Sequence, residues 1–168
     1  VGLKIKVWDL NWQGVKPKLV SILVGDDLAS KLYTTLKEKK AKEIGAEMDI
    51  YEIGLRKDAD YIINLIRYLN SKEDVHGIMI QLPLPKRLKK DTKKIIHTID
   101  SKKDVDGLRD DSPYVHPTVM ACLQILREAR KLTDRVKRKT LGKSNISPKD
   151  TICVVGATGM VGEPLVKE

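Results

Sequence analysis

The sequence contains no phenylalanine, only two cysteines and few aromatic rings of any kind, and none of its apolar runs approaches the roughly 20 residues that cross a bilayer. Each shortage excludes something. With no such run, and no charged-then-apolar leader opening the chain, a soluble, cytoplasmic protein without a membrane partner is the expectation. Cys122 and Cys153 stand far apart among apolar neighbours, with no C-x-x-C or Cys/His spacing that suits a metal. Both are therefore read as reduced core thiols, and no metal site is expected. The scarcity of rings to stack on bases tells against a nucleic-acid partner, despite a formal net charge of +9. The basic clusters at 37–40, 86–90 and 135–139 fall mostly on the polar faces of predicted helices, and a basic cleft suits a small anionic substrate equally well.

What is present is a chain of 168 residues, 41% hydrophobic, enough for one full core and the beginning of a second. The run from Leu19 to Gly25 reads as a buried strand ending in a turn. Ser30 then caps a helix that Gly45 terminates. Residues 46–53 alternate like a strand, and 58–69 place Ile62, Ile63, Leu65, Ile66 and Leu69 at helical spacing. A third strand, 77–82, is followed by a lysine-rich helix over 88–99, a loop over 104–117 and a helix over 118–130. Strands separated by single amphipathic helices pair in parallel through right-handed crossovers, so the fold class is α/β, a three-layer parallel sheet. Residues 1–130 form this domain. From 131 to 149 the chain turns polar and basic, with Gly142, Asn145 and Pro148, and reads as an exposed linker. Residues 150–168 begin a second unit with a buried strand over 151–156, too short to complete a domain.

That second unit carries a glycine loop. Gly156, Gly159 and Gly162 are spaced G-x-x-G-x-x-G after the strand and ahead of a helix, the setting in which backbone amides approach a pyrophosphate. Gly156, Ala157, Thr158, Gly159 and Gly162 are the candidate nucleotide contacts of a Rossmann-type domain. A tight structural turn is the alternative.

In a parallel sheet all carboxyl ends lie on one edge, where such folds bind ligands. Tyr33 and Lys37, four apart, share a face of the helix after the first strand, near its start. Gln81 ends the third strand, and Pro83 and Pro85 force an extended exit from it. Asp104 and Asp106 enter from a later loop. Taken singly, each has a plain reading: a half-buried tyrosine, a solvated lysine, a polar strand end, a turn former. Taken together they converge on one edge.

The motifs Gly25-Asp-Asp-Leu-Ala-Ser30, Tyr33-x-x-x-Lys37, His76-Gly-Ile-Met-Ile-Gln-Leu-Pro-Leu-Pro85, Lys103-Asp-Val-Asp-Gly107 and Val161-Gly-x-Pro164 resemble, in order and approximate spacing, those of the methylenetetrahydrofolate dehydrogenase/cyclohydrolase family. The similarity covers residues 16–164, with the family's N-terminal helix shortened. The resemblance implies oxidation of 5,10-methylenetetrahydrofolate to the methenyl form with NADP or NAD, then hydrolysis to 10-formyltetrahydrofolate, within one-carbon metabolism and purine biosynthesis. It implies Lys37 as the catalytic proton relay, since a lysine partly withdrawn from water is more readily neutral, with Gln81 orienting it. Tyr33 would stack on the folate rings, Asp106 would accept from the pterin N–H groups, and Ser30 and Pro83 would line the pocket. A homodimer through the nucleotide-binding domain is also implied.

The chain departs from the family at Ala157 and Thr158, where an arginine and a serine are usual; that arginine holds the 2′-phosphate of NADP, so NAD and NADP stay open. The loop after Asp106 is short, with His116-Pro-Thr-Val119 in place of a proline-threonine-proline stretch. Three rivals remain: an enzyme with only one of the two activities, a non-catalytic nucleotide-binding module, and a nucleic-acid binder.

Overall fold

The computed structural model describes residues 2–140, 154–155, 157–158 and 161–167. Along the chain run α1 (Gly2–Trp12), β1 (Lys18–Val24), α2 (Leu28–Ile44), β2 (Glu47–Ile53), α3 (Ala59–Asn70), β3 (Gly77–Ile80), α4 (Thr92–Thr98), α5 (Pro117–Thr140) and α6 (Gly162–Lys167). Short 3-10 turns, Lys86–Asp91 and Ser101–Lys103, flank α4. The chain divides into two compact units, Val1–Tyr114 and Val115–Glu168, so the division falls ahead of the expected 131–149 linker.

In the first unit the three strands are parallel, in the order β2-β1-β3, with Lys18 opposite Glu47 and Leu19 opposite Gly77. The two faces of this sheet differ in chemistry. Side chains alternate along a strand, so Val20, Ile22 and Val24 share one face with Ile53, Ile78 and Ile80. That face is covered by Ile62, Ile63, Ile66 and Leu69 of α3 and by Ile95 and Ile99 at α4, making a wholly aliphatic core. The opposite face carries Leu19, Ser21, Leu23, Met48, Gly77 and Met79, and α2 packs on it through the buried Ser30 and Thr34. Small and polar residues let α2 approach closely. The expected three layers, helix, sheet and helix, are thus present, and one interlayer is able to hold polar groups.

Several boundaries differ from expectation. The cap of α2 is Asp27, not Ser30: its carboxylate accepts the Ser30 backbone N–H at 2.8 Å, while Ser30 lies inside the helix. Gly45 closes α2 in the left-handed conformation, as its position suggests. The helix expected over 88–99 splits, because Pro85 sets a tight turn in which Leu88 N–H bonds to the Pro85 carbonyl at 2.8 Å, and α4 begins only at Thr92. Helix α5 runs on to Thr140, through the first ten residues read as linker. No glycine or proline interrupts 131–140, and lysine and arginine are good helix formers, so a polar stretch here continues a helix and does not form a loop. The expected strand over 151–156 falls partly outside the described residues. Within it, Val154 has no regular structure and Val155 sits in a turn, 95% exposed. No described strand pairs with it, and an isolated strand leaves its backbone groups unpaired. Cys122 is a free, half-buried thiol, less enclosed than expected, and Cys153 is outside the described residues. Among the described residues no helix is long and apolar enough to cross a membrane.

The Asp27 cap has a pH signature. The Ser30 backbone N–H, and then the Ser30 side chain, hold the Asp27 carboxyl below the usual aspartate value. A depressed folded pKa contributes stability above the unfolded pKa, about 3.9, and loses it as pH falls through the folded value. Asp27→Asn, which keeps a capping oxygen but cannot titrate, is therefore expected to lose less thermal stability than the parent between about pH 5 and pH 3. Asp27→Ala is expected to be destabilised already at neutral pH. Thermal melts of the three proteins across that range check both statements, and identical acid sensitivity of parent and Asp27→Asn contradicts the first.

Candidate active site

Parallel pairing extends beyond the strands themselves. Gly25 N–H bonds to the Ile53 carbonyl at 2.8 Å, and Gln81 N–H to the Ile22 carbonyl at 2.9 Å, so the residues just past β1 and β3 are locked side by side on the carboxyl edge. Gly25 adopts φ 95°, a left-handed conformation that favours glycine, and Leu55 and Pro85 close around it. The Leu82–Pro83 peptide that follows Gln81 is cis, and Pro83 is exposed.

Onto this edge α2 brings Lys37. It lies ten residues into the helix, farther from the helix start than the sequence suggested, and its stem runs through the polar interlayer. The half-buried Lys37 Nζ donates to Gln81 Oε1 at 3.3 Å and faces Met79 Sδ at 3.8 Å. Both contacts are long beside the roughly 2.7–2.9 Å of a tight charged hydrogen bond, so the amine is oriented without being held fast. Gln81 Nε2 donates in turn to the Leu82 carbonyl at 3.3 Å, which assigns its oxygen to the lysine. Tyr33, one turn before Lys37, is 60% exposed and so available to a planar ligand. Ser30, a further turn back, is buried, and its carbonyl accepts the Thr34 hydroxyl at 2.8 Å.

The aspartate turn stands beside β3. A parallel bridge joins Ile78 to Asp104, so Asp106 lies two residues past a position paired with the strand that delivers Gln81. Asp104 is fully buried, accepts the Arg109 backbone N–H on Oδ2 at 2.9 Å and receives Gly107 N–H on its carbonyl at 3.0 Å. Its role in the structure is to shape the turn. Asp106, by contrast, is half-buried. Sequence inspection overlooked Met79, although it lies two residues before Gln81 and so on the same face of β3.

The histidines serve the scaffold. His116 Nδ1 accepts the Thr118 N–H at 3.1 Å at the start of α5, His76 Nδ1 accepts the Lys18 N–H at 3.2 Å, and His97 faces Asp110 at 3.5 Å. Of the glycine loop, Ala157 and Thr158 lie in an exposed turn and Gly162 is buried at the start of α6; Gly156 and Gly159 are outside the described residues.

A lysine, a glutamine and an aspartate turn at the carboxyl edge of a parallel sheet define an α/β protein with a candidate ligand site at its strand ends. The sequence profile of the tetrahydrofolate dehydrogenase/cyclohydrolase catalytic domain matches residues 2–106. The chain belongs to this family. It is 36% identical over 163 residues to the bifunctional protein FolD of Latilactobacillus sakei, covering 93% of this chain and 53% of that protein. It is also 36% identical to the FolD of Acetivibrio thermocellus, over 97% of this chain and 55% of that one. The crystal structure of the bifunctional FolD of Campylobacter jejuni superposes with a TM-score of 0.71 at 31% identity, over 77% of this chain and 49% of that one. The NAD-dependent 5,10-methylenetetrahydrofolate dehydrogenase of Saccharomyces cerevisiae, at 22% identity and a TM-score of 0.73 over 98% of this chain, shares the fold. The chain spans about half the length of the curated relatives it matches.

Gly77, at the start of β3, couples the sheet to the aspartate turn. A Cβ there would meet Val105 Cγ1 at 2.8 Å and Leu19 Cδ1 at 3.3 Å, and a β-branched valine next to the anchored Asp104 cannot easily retreat. Gly77→Ala is expected to cost about 1–3 kcal/mol by overpacking and to speed amide exchange across 104–107. Chemical denaturation and hydrogen exchange measure both; unchanged stability and exchange would show that Val105 has room to move.

Proposed function

We propose that this chain is the folate-binding catalytic part of an enzyme that oxidises 5,10-methylenetetrahydrofolate to 5,10-methenyltetrahydrofolate and hydrolyses that cation to 10-formyltetrahydrofolate. The observation that carries the proposal is the half-buried Lys37 amine facing Gln81 Oε1 at 3.3 Å on the carboxyl edge of the sheet. In its neutral form the amine takes a proton from the water that attacks the methenyl carbon, and avoids repelling a positively charged substrate. Gln81 directs the amine, through a contact loose enough to be exchanged for a water. Tyr33 offers an exposed ring to the folate ring system, and Asp106 offers acceptor oxygens to the pterin N–H groups. Ser30 and Pro83 bound the same pocket.

The oxidation requires a nicotinamide nucleotide, which supplies the hydride acceptor when bound. The exposed turn at Ala157 and Thr158, leading into a buried Gly162, is compatible with backbone approach to a pyrophosphate, so Gly156, Ala157, Thr158, Gly159 and Gly162 would hold it. A solved structure of the Trypanosoma brucei relative contains NADP, whereas Ala157 lacks the guanidinium that a 2′-phosphate favours. Either NAD or NADP is consistent with these residues.

Calorimetric titration of the 168-residue chain with 5-formyltetrahydrofolate, a stable analogue, is the direct test. Saturable binding is expected, weakened at least about tenfold, or about 1.4 kcal/mol, in Asp106→Ala. Lys37→Met is expected to bind the analogue yet, within the complete enzyme, to lose hydrolysis of the methenyl substrate by about 100-fold or more. A folded parent chain that binds no folate, or a Lys37→Met enzyme that still hydrolyses, is incompatible with the assignment.

A further inference from the structure

We propose that Arg109 is a positioning residue, whose guanidinium ties the loop from Asp104 to Asp111 onto the carboxyl end of α4 and thereby sets where the Asp106 carboxylate stands. The inference deepens the folate reading above and rests on it for its consequence in binding.

Arg109 sits in the charged run Leu108-Arg-Asp-Asp111, a stretch that resembles an ordinary solvated loop. Its side chain is nevertheless only 14% exposed. A guanidinium so enclosed is tolerated only when its donors are matched. Nη1 donates to the Ile99 carbonyl at 2.7 Å and to the His97 carbonyl, two groups left unpaired where α4 ends. Nε and Nη2 donate to the two oxygens of Asp111, each at 2.7 Å, in the planar two-point pairing that only arginine makes. A cation at a helix carboxyl end also complements the helix dipole.

The backbone of the same residue closes the other side of the loop. Arg109 N–H donates to Asp104 Oδ2 at 2.9 Å, Ser112 Oγ donates to the Asp104 carbonyl at 3.2 Å, and Asp104 is bridged to Ile78 of β3. Asp104 Oδ1 is buried without a hydrogen-bonding partner, so the carboxylate leans on that amide and on the nearby guanidinium charge. Asp106 therefore lies between two fixed points, the β3 bridge at Asp104 and the α4 anchor at Arg109. The neighbouring Asp110, 3.0 Å from Lys93 and 3.5 Å from His97, adds a second, exposed link to α4. Consistent with this pairing, Arg109 is held more basic than an ordinary arginine, mainly by its hydrogen bonds to Asp111, whose own carboxyl is held correspondingly acidic.

Hydrogen exchange and folate titration on the 168-residue chain, in the parent, Arg109→Lys and Arg109→Met, test the proposal. Arg109→Met is expected to exchange the 104–112 amides at least tenfold faster, with β1 amides unchanged, and to bind 5-formyltetrahydrofolate about tenfold more weakly. Arg109→Lys, which keeps the charge but cannot serve two carbonyls and a carboxylate together, is expected to fall between. In an Asp106→Asn background, Arg109→Met is expected to add little further loss of affinity, because the two act through one group. Unchanged loop exchange, parental affinity in Arg109→Met, or independent losses in the double variant would each overturn the proposal. A parent chain that binds no folate would defeat the functional reading separately, and loop exchange would still decide whether Arg109 is the anchor.

Discussion

The bond from the Gln81 backbone N–H to the Ile22 carbonyl sets the geometry on which the candidate site depends. It continues the β1–β3 pairing one residue beyond the strand, so the chain leaves the sheet only after Gln81 is aligned. The side chain of Gln81 can then meet Lys37, which arrives from a different crossover. Were the pairing register shifted by one residue, the period of two along a strand would turn that side chain to the aliphatic face. The same logic holds on the other flank, where Gly25 pairs with Ile53 before the chain enters α2.

The sheet divides the work between its faces. The face under α3 and α4 is closed by branched aliphatic residues and supplies most of the hydrophobic stabilisation; removing one of its fully buried isoleucines is worth about 2–5 kcal/mol. The face under α2 sets serine, glycine and methionine among its leucines, meets Ser30 and Thr34 of the helix, and yields a layer through which a lysine stem passes to the edge. The aliphatic core and the candidate site thus lie on opposite sides of three strands. This arrangement leaves the Lys37 amine and the Gln81 amide in a partly polar, partly shielded setting.

Much of this was legible in the chain. The three strands, their helical crossovers and Gly45 announce themselves through periodicity and turn chemistry, and the convergence of Lys37 and Gln81 follows from parallel topology. Other features were not. Asp27 and Ser30 are both good capping residues, and only the backbone conformation decides between them. The run 131–140 is polar enough for a loop, but polarity describes solvent exposure and not backbone conformation. The valine-rich stretch at 154–155 has strand propensity, which a strand realises only with a partner alongside.

Arg109 shows the limit most clearly. In sequence it is one charge among several in a short loop; in the fold it is enclosed, with the end of α4 on one side and Asp111 on the other. By itself the sequence determined the α/β class, the order of the elements, the family and the residue types that reach the carboxyl edge, because these follow from local periodicity and motif spacing. Only the tertiary structure decided the remaining meetings: Lys37 with Met79, Asp104 with the Arg109 amide, and the guanidinium with the last carbonyls of α4. The physical reason is that a hydrogen bond depends on distance and direction between groups remote in the chain, which composition and spacing do not encode.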